Sequence, residues 1–72
     1  MKDKLFEAGT VRYINRDKDF GFIKTDSGDR VFFVPHDIRE GDFDNDFQHG
    51  TRVEFWVEER PKGPIARDIK LI

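Results

Sequence analysis

A chain of 72 residues is long enough for one small domain with a modest hydrophobic core. It holds no cysteine, so neither a disulfide nor a thiolate metal site reinforces that core; its two histidines, His36 and His49, lack the partners of a zinc site. The formal charge of −2 sets it apart from strongly basic nucleic-acid binders, and no run of 18 apolar residues offers a membrane span.

In chain order, Met1 to Glu7 contains no apolar run of signal-peptide length, and a soluble cytoplasmic protein is the expectation. Thr10-Val11-Arg12-Tyr13-Ile14 is β-branched and aromatic, which predicts a first strand. Phe20-Gly21-Phe22-Ile23-Lys24 predicts a second strand, closed by the turn Asp26-Ser27-Gly28-Asp29. Arg30-Val31-Phe32-Phe33-Val34 completes a hairpin, and Pro35 ends it by removing a ladder donor. Residues 35–50 form a long acidic connection in which Pro35-His36-Asp37-Ile38 suits a single helical turn. From Thr51 to Glu59 the chain alternates again, with Val53, Phe55 and Val57 on one side and Arg52, Glu54, Trp56 and Glu58 on the other. Pro61-Lys62-Gly63-Pro64 is a turn, and Ile65 to Ile72 a last strand. The expectation is an all-β fold, a five-stranded antiparallel barrel formed by residues 1–72 as one domain, because closure removes exposed edges.

Charge and aromatic content carry the functional signal. Residues 1–24 balance at +2, residues 25–50 at −5 and residues 51–72 at +1, so the two ends are able to build a mildly basic surface. Eight phenylalanines exceed what so small a core needs. Strand parity places Phe20 and Phe22 on one face and Ile23 on the other; it likewise separates Phe32 from Val31 and Phe33. With Ile23, Val31 and Phe33 assigned to the core, Phe20, Phe22 and Phe32 point outward together, and Tyr13 completes the cluster. Rings left in water contribute little to folding, so the patch implies a partner, and nucleobases suit it.

These same residues resemble the cold-shock domain. Asn15 with Lys18-Asp19-Phe20-Gly21-Phe22-Ile23 resembles its first ribonucleoprotein motif, and Val31-Phe32-Phe33 the opening of its second. Gly9 to Asn15 resembles its leading strand, and Lys62-Gly63-Pro64 with Ala66 its fifth-strand signature. The resemblance implies an oligonucleotide-binding-type barrel that takes single-stranded RNA or DNA, serves as an RNA chaperone or regulator of transcription or translation, and performs no catalysis. By matching position it implies stacking on Tyr13, Phe20, Phe22 and Phe32, backbone contacts from Arg12 and Lys18, and a basic groove edge at Lys62. Asn15 and Arg67 join the expected site, with Phe43 of the long loop stacking a terminal base.

Departures from the pattern are specific. Val34 and Pro35 stand where the family has a histidine and a phenylalanine, Asp19 replaces a glycine, and Ile65 replaces a glutamine. These changes imply weaker binding or a shifted preference. His36, two residues past Val34, is a minor candidate for the missing histidine, a solvated loop histidine being the plainer reading. Asp42, Asp44 and Asp46 imitate the start of a calcium loop, but Phe47 and Val53 stand where glycine and glutamate are required, so no metal site is expected. No cofactor or catalytic constellation is expected, nor any membrane association. The expected state is a monomer, with a dimer as the variant. The rival reading is a protein-interaction or self-association module that uses the same aromatic face, with Trp56 outward as a second contact.

Overall fold

The computed structural model describes residues 4–72; Met1–Asp3, part of the stretch considered for a signal peptide, lie outside the described residues. Five strands, β1 (Lys4–Asn15), β2 (Phe20–Thr25), β3 (Arg30–Phe33), β4 (Arg52–Glu58) and β5 (Ile65–Leu71), close into a barrel in the ring order β1-β2-β3-β5-β4. A 3₁₀ turn, Pro35–Asp37, follows β3.

β1 runs well beyond the five residues expected from composition because it serves two neighbours. Its first half pairs with β4, from Lys4 opposite Glu58 to Thr10 opposite Arg52, and its second half with β2, from Gly9 opposite Thr25 to Asn15 opposite Phe20. At the handover, a Cβ on Gly9 would lie 2.5 Å from the Lys24 carbonyl oxygen, so this crossing of backbones needs glycine. The barrel is not wholly antiparallel as expected. A ring with an odd number of strands cannot alternate direction throughout, and the exception is the parallel contact of Phe32 with Ile65 between β3 and β5. The 3₁₀ turn extends that seam: Ile38 bridges to Ile69, and the Arg39 amide donates to the Ile69 carbonyl at 2.7 Å.

The core follows the expected parity. Ile23, Val31, Phe33, Val53, Phe55 and Val57 are all buried, joined by Val11, Ala66 and Ile69. Two further rings come from the acidic connection. Asp42 to Asp46 makes one helical turn, with the Asp46 amide donating to the Asp42 carbonyl at 2.7 Å, and this brings Phe43 and Phe47 to the same side and into the core. The turn is braced from within: the Asp42 amide donates to the Asp46 carboxylate at 2.8 Å. Arg16, in the turn after β1, donates to the carbonyls of Phe43 and Phe47 at 2.7 Å each and clamps the loop onto the barrel.

The β2–β3 hairpin has its own pins. The Thr25 amide donates to the Asp29 carbonyl at 2.7 Å, and the hydroxyl of the buried Thr25 accepts from the Asp29 amide at 2.9 Å. Gly28 takes φ +102°, a left-handed conformation that glycine enters without strain. The result is a fixed register with Phe22 opposite Phe32.

Candidate nucleic-acid interface

Four rings converge on the outer face of β1, β2 and β3. Register sets Tyr13 beside Phe22 and Phe22 beside Phe32, while Phe20 lies two residues away on the same face of β2. Centroid separations are 5.6 Å for Phe20–Phe32, 5.8 Å for Phe22–Phe32, 6.0 Å for Phe20–Phe22, and 5.9 and 6.2 Å from Tyr13 to Phe20 and Phe22. The rings shield one another, so the three phenylalanines are half-buried, whereas Tyr13 is 47% exposed. On the inner side of β2, Gly21 backs onto the Phe33 ring: a Cβ there would come within 2.6 Å of it. The phenylalanine-glycine-phenylalanine spacing thus places two rings outside while leaving room for a third beneath.

Tyr13 reaches this face by an irregularity. Val11 is fully buried and pairs with Ile23, yet Tyr13, two residues on, faces out and pairs with Phe22. A regular strand would put both on one side; a bulge at Arg12 absorbs the extra residue and turns Tyr13 outward. Asn15 braces the end of the strand. Its side-chain oxygen accepts from the Lys18 amide at 3.0 Å, and its amide donates to the Tyr13 hydroxyl at 3.4 Å. It positions Tyr13 and the turn that carries Lys18. In that turn Asp19 sits at φ +56°, a conformation that aspartate tolerates better than most residues and that glycine takes freely.

Two expected residues have other work. Phe43 is 7% exposed, edge-on to Phe33 and beneath the Arg16 guanidinium, so it belongs to the core and not to the ring face. Arg67 is spent on ion pairs: its Nη1 lies 3.0 Å from both Asp37 carboxylate oxygens and its Nε lies 3.0 Å from Glu58. The Asp37 bond, then that to Glu58, raises its pKa above the ordinary arginine value. Arg67 therefore fastens the 3₁₀ turn to β4 and β5. His36 is exposed in that turn, beyond the strand that Val34 and Pro35 bring to an end.

The cations divide accordingly. Arg39, Arg52 and Arg67 are paired with carboxylates, whereas Arg12, Lys18, Lys24, Arg30 and Lys62 form no ion pair among the described residues. Arg30, absent from the sequence-derived site, has its guanidinium 4.9 Å from the Phe22 centroid. The signal was available: Arg30 precedes Phe32 by two and so shares its face. Trp56 does point outward, but on the far side, where it meets Phe6 edge-to-face at 5.1 Å.

The sequence model of the "Cold-shock" DNA-binding domain matches residues 7–72. The chain belongs to this family of nucleic-acid-binding proteins. Among its relatives, the probable cold shock protein A of Mycolicibacterium smegmatis is 36% identical over 89% of this chain and 96% of its own. The cold shock-like protein CspLB of Listeria monocytogenes is 38% identical over 88% and 94%. The major cold shock protein of Streptococcus pyogenes is 41% identical over 85% and 90%. The cold-shock match takes in all five strands apart from the first residues of β1, so the ring face and both of its flanking turns lie inside it.

Proposed function

We propose that this cold-shock domain binds single-stranded RNA or DNA by stacking bases on Tyr13, Phe20, Phe22 and Phe32, with Arg12, Lys18 and Lys62 holding phosphates. The observation that carries the reading is the gathering of four outward rings on one face of a protein whose unpaired cations include the neighbours of those rings. Each stacked base contributes about 1–3 kcal/mol with little dependence on its identity, so the domain holds many sequences in extended form. Such a protein acts as an RNA chaperone or a regulator of transcription or translation, in the cytoplasm, as a monomer and without catalysis.

The chain has one tyrosine and one tryptophan, which separates this reading from its rival. In a titration with oligo-dT or oligo-rU, quenching of Tyr13 emission by a protein that stays monomeric supports stacking. A protein contact made through the same ring face, or through the exposed Phe6–Trp56 pair, instead leaves tyrosine emission unmoved by the oligonucleotide. Unchanged tyrosine emission with a dimer on a sizing column would sink the stacking reading.

A further inference from the structure

We infer that Arg12, Lys24 and Arg30 form a phosphate cleft beyond Phe22 that carries the strand's backbone off the ring platform. The inference rests on the stacking reading and extends it to residues outside the four-ring site.

On β2, Lys24 follows Phe22 by two residues and shares its outward face; on β3, Arg30 precedes Phe32 by two and does the same. Register sets Lys24 directly opposite Arg30, one step beyond the Phe22–Phe32 pair. Like charges facing each other across a strand pair destabilise a sheet. Neither forms an ion pair with a carboxylate among the described residues. Arg30 leans back over the Phe22 ring instead, at 4.9 Å, a contact that holds its guanidinium beside the platform. The bulge that turns Tyr13 outward also exposes Arg12 on the third strand of the same face.

These cations line two grooves that share Arg12, Phe22 and Arg30. Arg12, Phe22 and Arg30 border a stretch beside Tyr13, and the adjoining stretch of about 320 Å³ adds Lys24 and His49. No carboxylate lines either stretch among the described residues. Other grooves of the barrel differ: the one at Leu5, which Arg30 also borders, includes Glu7, Asp29 and Glu59, and that at Phe6 and Trp56 includes Glu54 and Asp68. A groove with three cations from three strands, an aromatic wall and no acid fits the phosphate next to a stacked base. Arginine and lysine both serve there, the arginine with a bidentate fork.

The test compares wild type with the double variant Lys24→Gln/Arg30→Gln. Affinity for oligo-dT, and for a strand of equal length containing guanine, is measured across salt concentrations. Each lost phosphate contact lowers the slope of log affinity against log salt by about 0.7. The double variant is expected to show a slope shallower by about 1.4 and binding about 25-fold weaker at 0.1 M salt, on both strands. Arg39→Gln, on the Phe6–Trp56 side and paired with Asp68, is expected to leave both values unchanged. Both altered side chains are exposed, and an unchanged thermal midpoint verifies folding. An unchanged slope in the double variant overturns the cleft, and so does a loss confined to the guanine strand, which would make Arg30 a reader of a base edge. Failure of the wild type to bind either strand overturns the stacking reading itself.

Discussion

Phe22 and Phe32 face each other across the β2–β3 hairpin, and Val31 stands behind them in the core, 1% exposed. Substitution by alanine therefore separates binding from stability. Phe22→Ala and Phe32→Ala are each expected to weaken single-strand binding by about 1–3 kcal/mol. Each also gives up a half-buried ring and their shared edge-to-face contact, the contact alone worth about 0.5–1.5 kcal/mol beyond the buried area. Val31→Ala deletes buried methyl groups, at about 0.8 kcal/mol each plus a cavity cost, and is expected to lower stability by about 2 kcal/mol without touching bases directly. Denaturant unfolding and oligonucleotide titration of the three variants check this. Asp19 supplies a second residue-scale expectation. Its left-handed φ of +56° and its negative charge lie in the turn that carries Lys18. Asp19→Gly removes both, and is expected to raise stability by about 1 kcal/mol and tighten binding a few-fold.

At the scale of elements, the legible part of the site was the part governed by period two. Phe20, Phe22 and Phe32 sit on regular strands, so parity alone separates them from Ile23, Val31 and Phe33. Tyr13 needed a bulge that has no local sequence signature: Val11 and Tyr13 look alike until the pairing with β2 is known. Phe43 was misplaced for a different reason. A single helical turn among carboxylates leaves too short a pattern to reveal an inward stripe, and the clamp that fixes it comes from Arg16, 27 residues away. Arg67 shows the same limit, since its partner Asp37 is 30 residues away and their meeting depends on the parallel seam. The Arg16 clamp yields a direct expectation. Each of its hydrogen bonds joins a charged donor to a carbonyl, and Arg16→Ala is expected to lower global stability by about 2–3 kcal/mol. Amide exchange of residues 43–50 is expected to accelerate by more than that of the strands, which follow the global loss alone. Uniform acceleration across the barrel would contradict the clamp.

For the whole molecule, a formal charge of −2 and a nucleic-acid partner are compatible because charge is sorted by position. Three arginines outside the ring face, Arg39, Arg52 and Arg67, are paired with carboxylates, whereas Arg12, Lys24 and Arg30 beside the rings form no ion pair among the described residues. The pair between Arg52 and Asp26, at 2.7 and 3.0 Å, ties β4 to the β2–β3 turn. Its hydrogen bond holds the Asp26 carboxyl below the ordinary aspartate range. A depressed folded-state pKa means that the pair stabilises the fold above the unfolded-state value and that this support is lost as pH falls through the folded one. Arg52→Gln is expected to return Asp26 to the ordinary range, read by NMR titration of its carboxyl carbon, with little change in stability at neutral pH because the pair is exposed. The closed barrel itself was legible from five short alternating segments; the parallel seam was not inferred, though an odd number of strands requires it.

The most direct test of the central claim is aromatic proton–carbon NMR of the protein titrated with oligo-dT. Stacked bases shift the ring resonances they cover. Large shifts are expected at Tyr13, Phe20, Phe22 and Phe32, with Phe6, Trp56 and the buried Phe43 unmoved. Shifts centred on Phe6 and Trp56, with the four rings silent, would place the ligand on the opposite side of the barrel and contradict it.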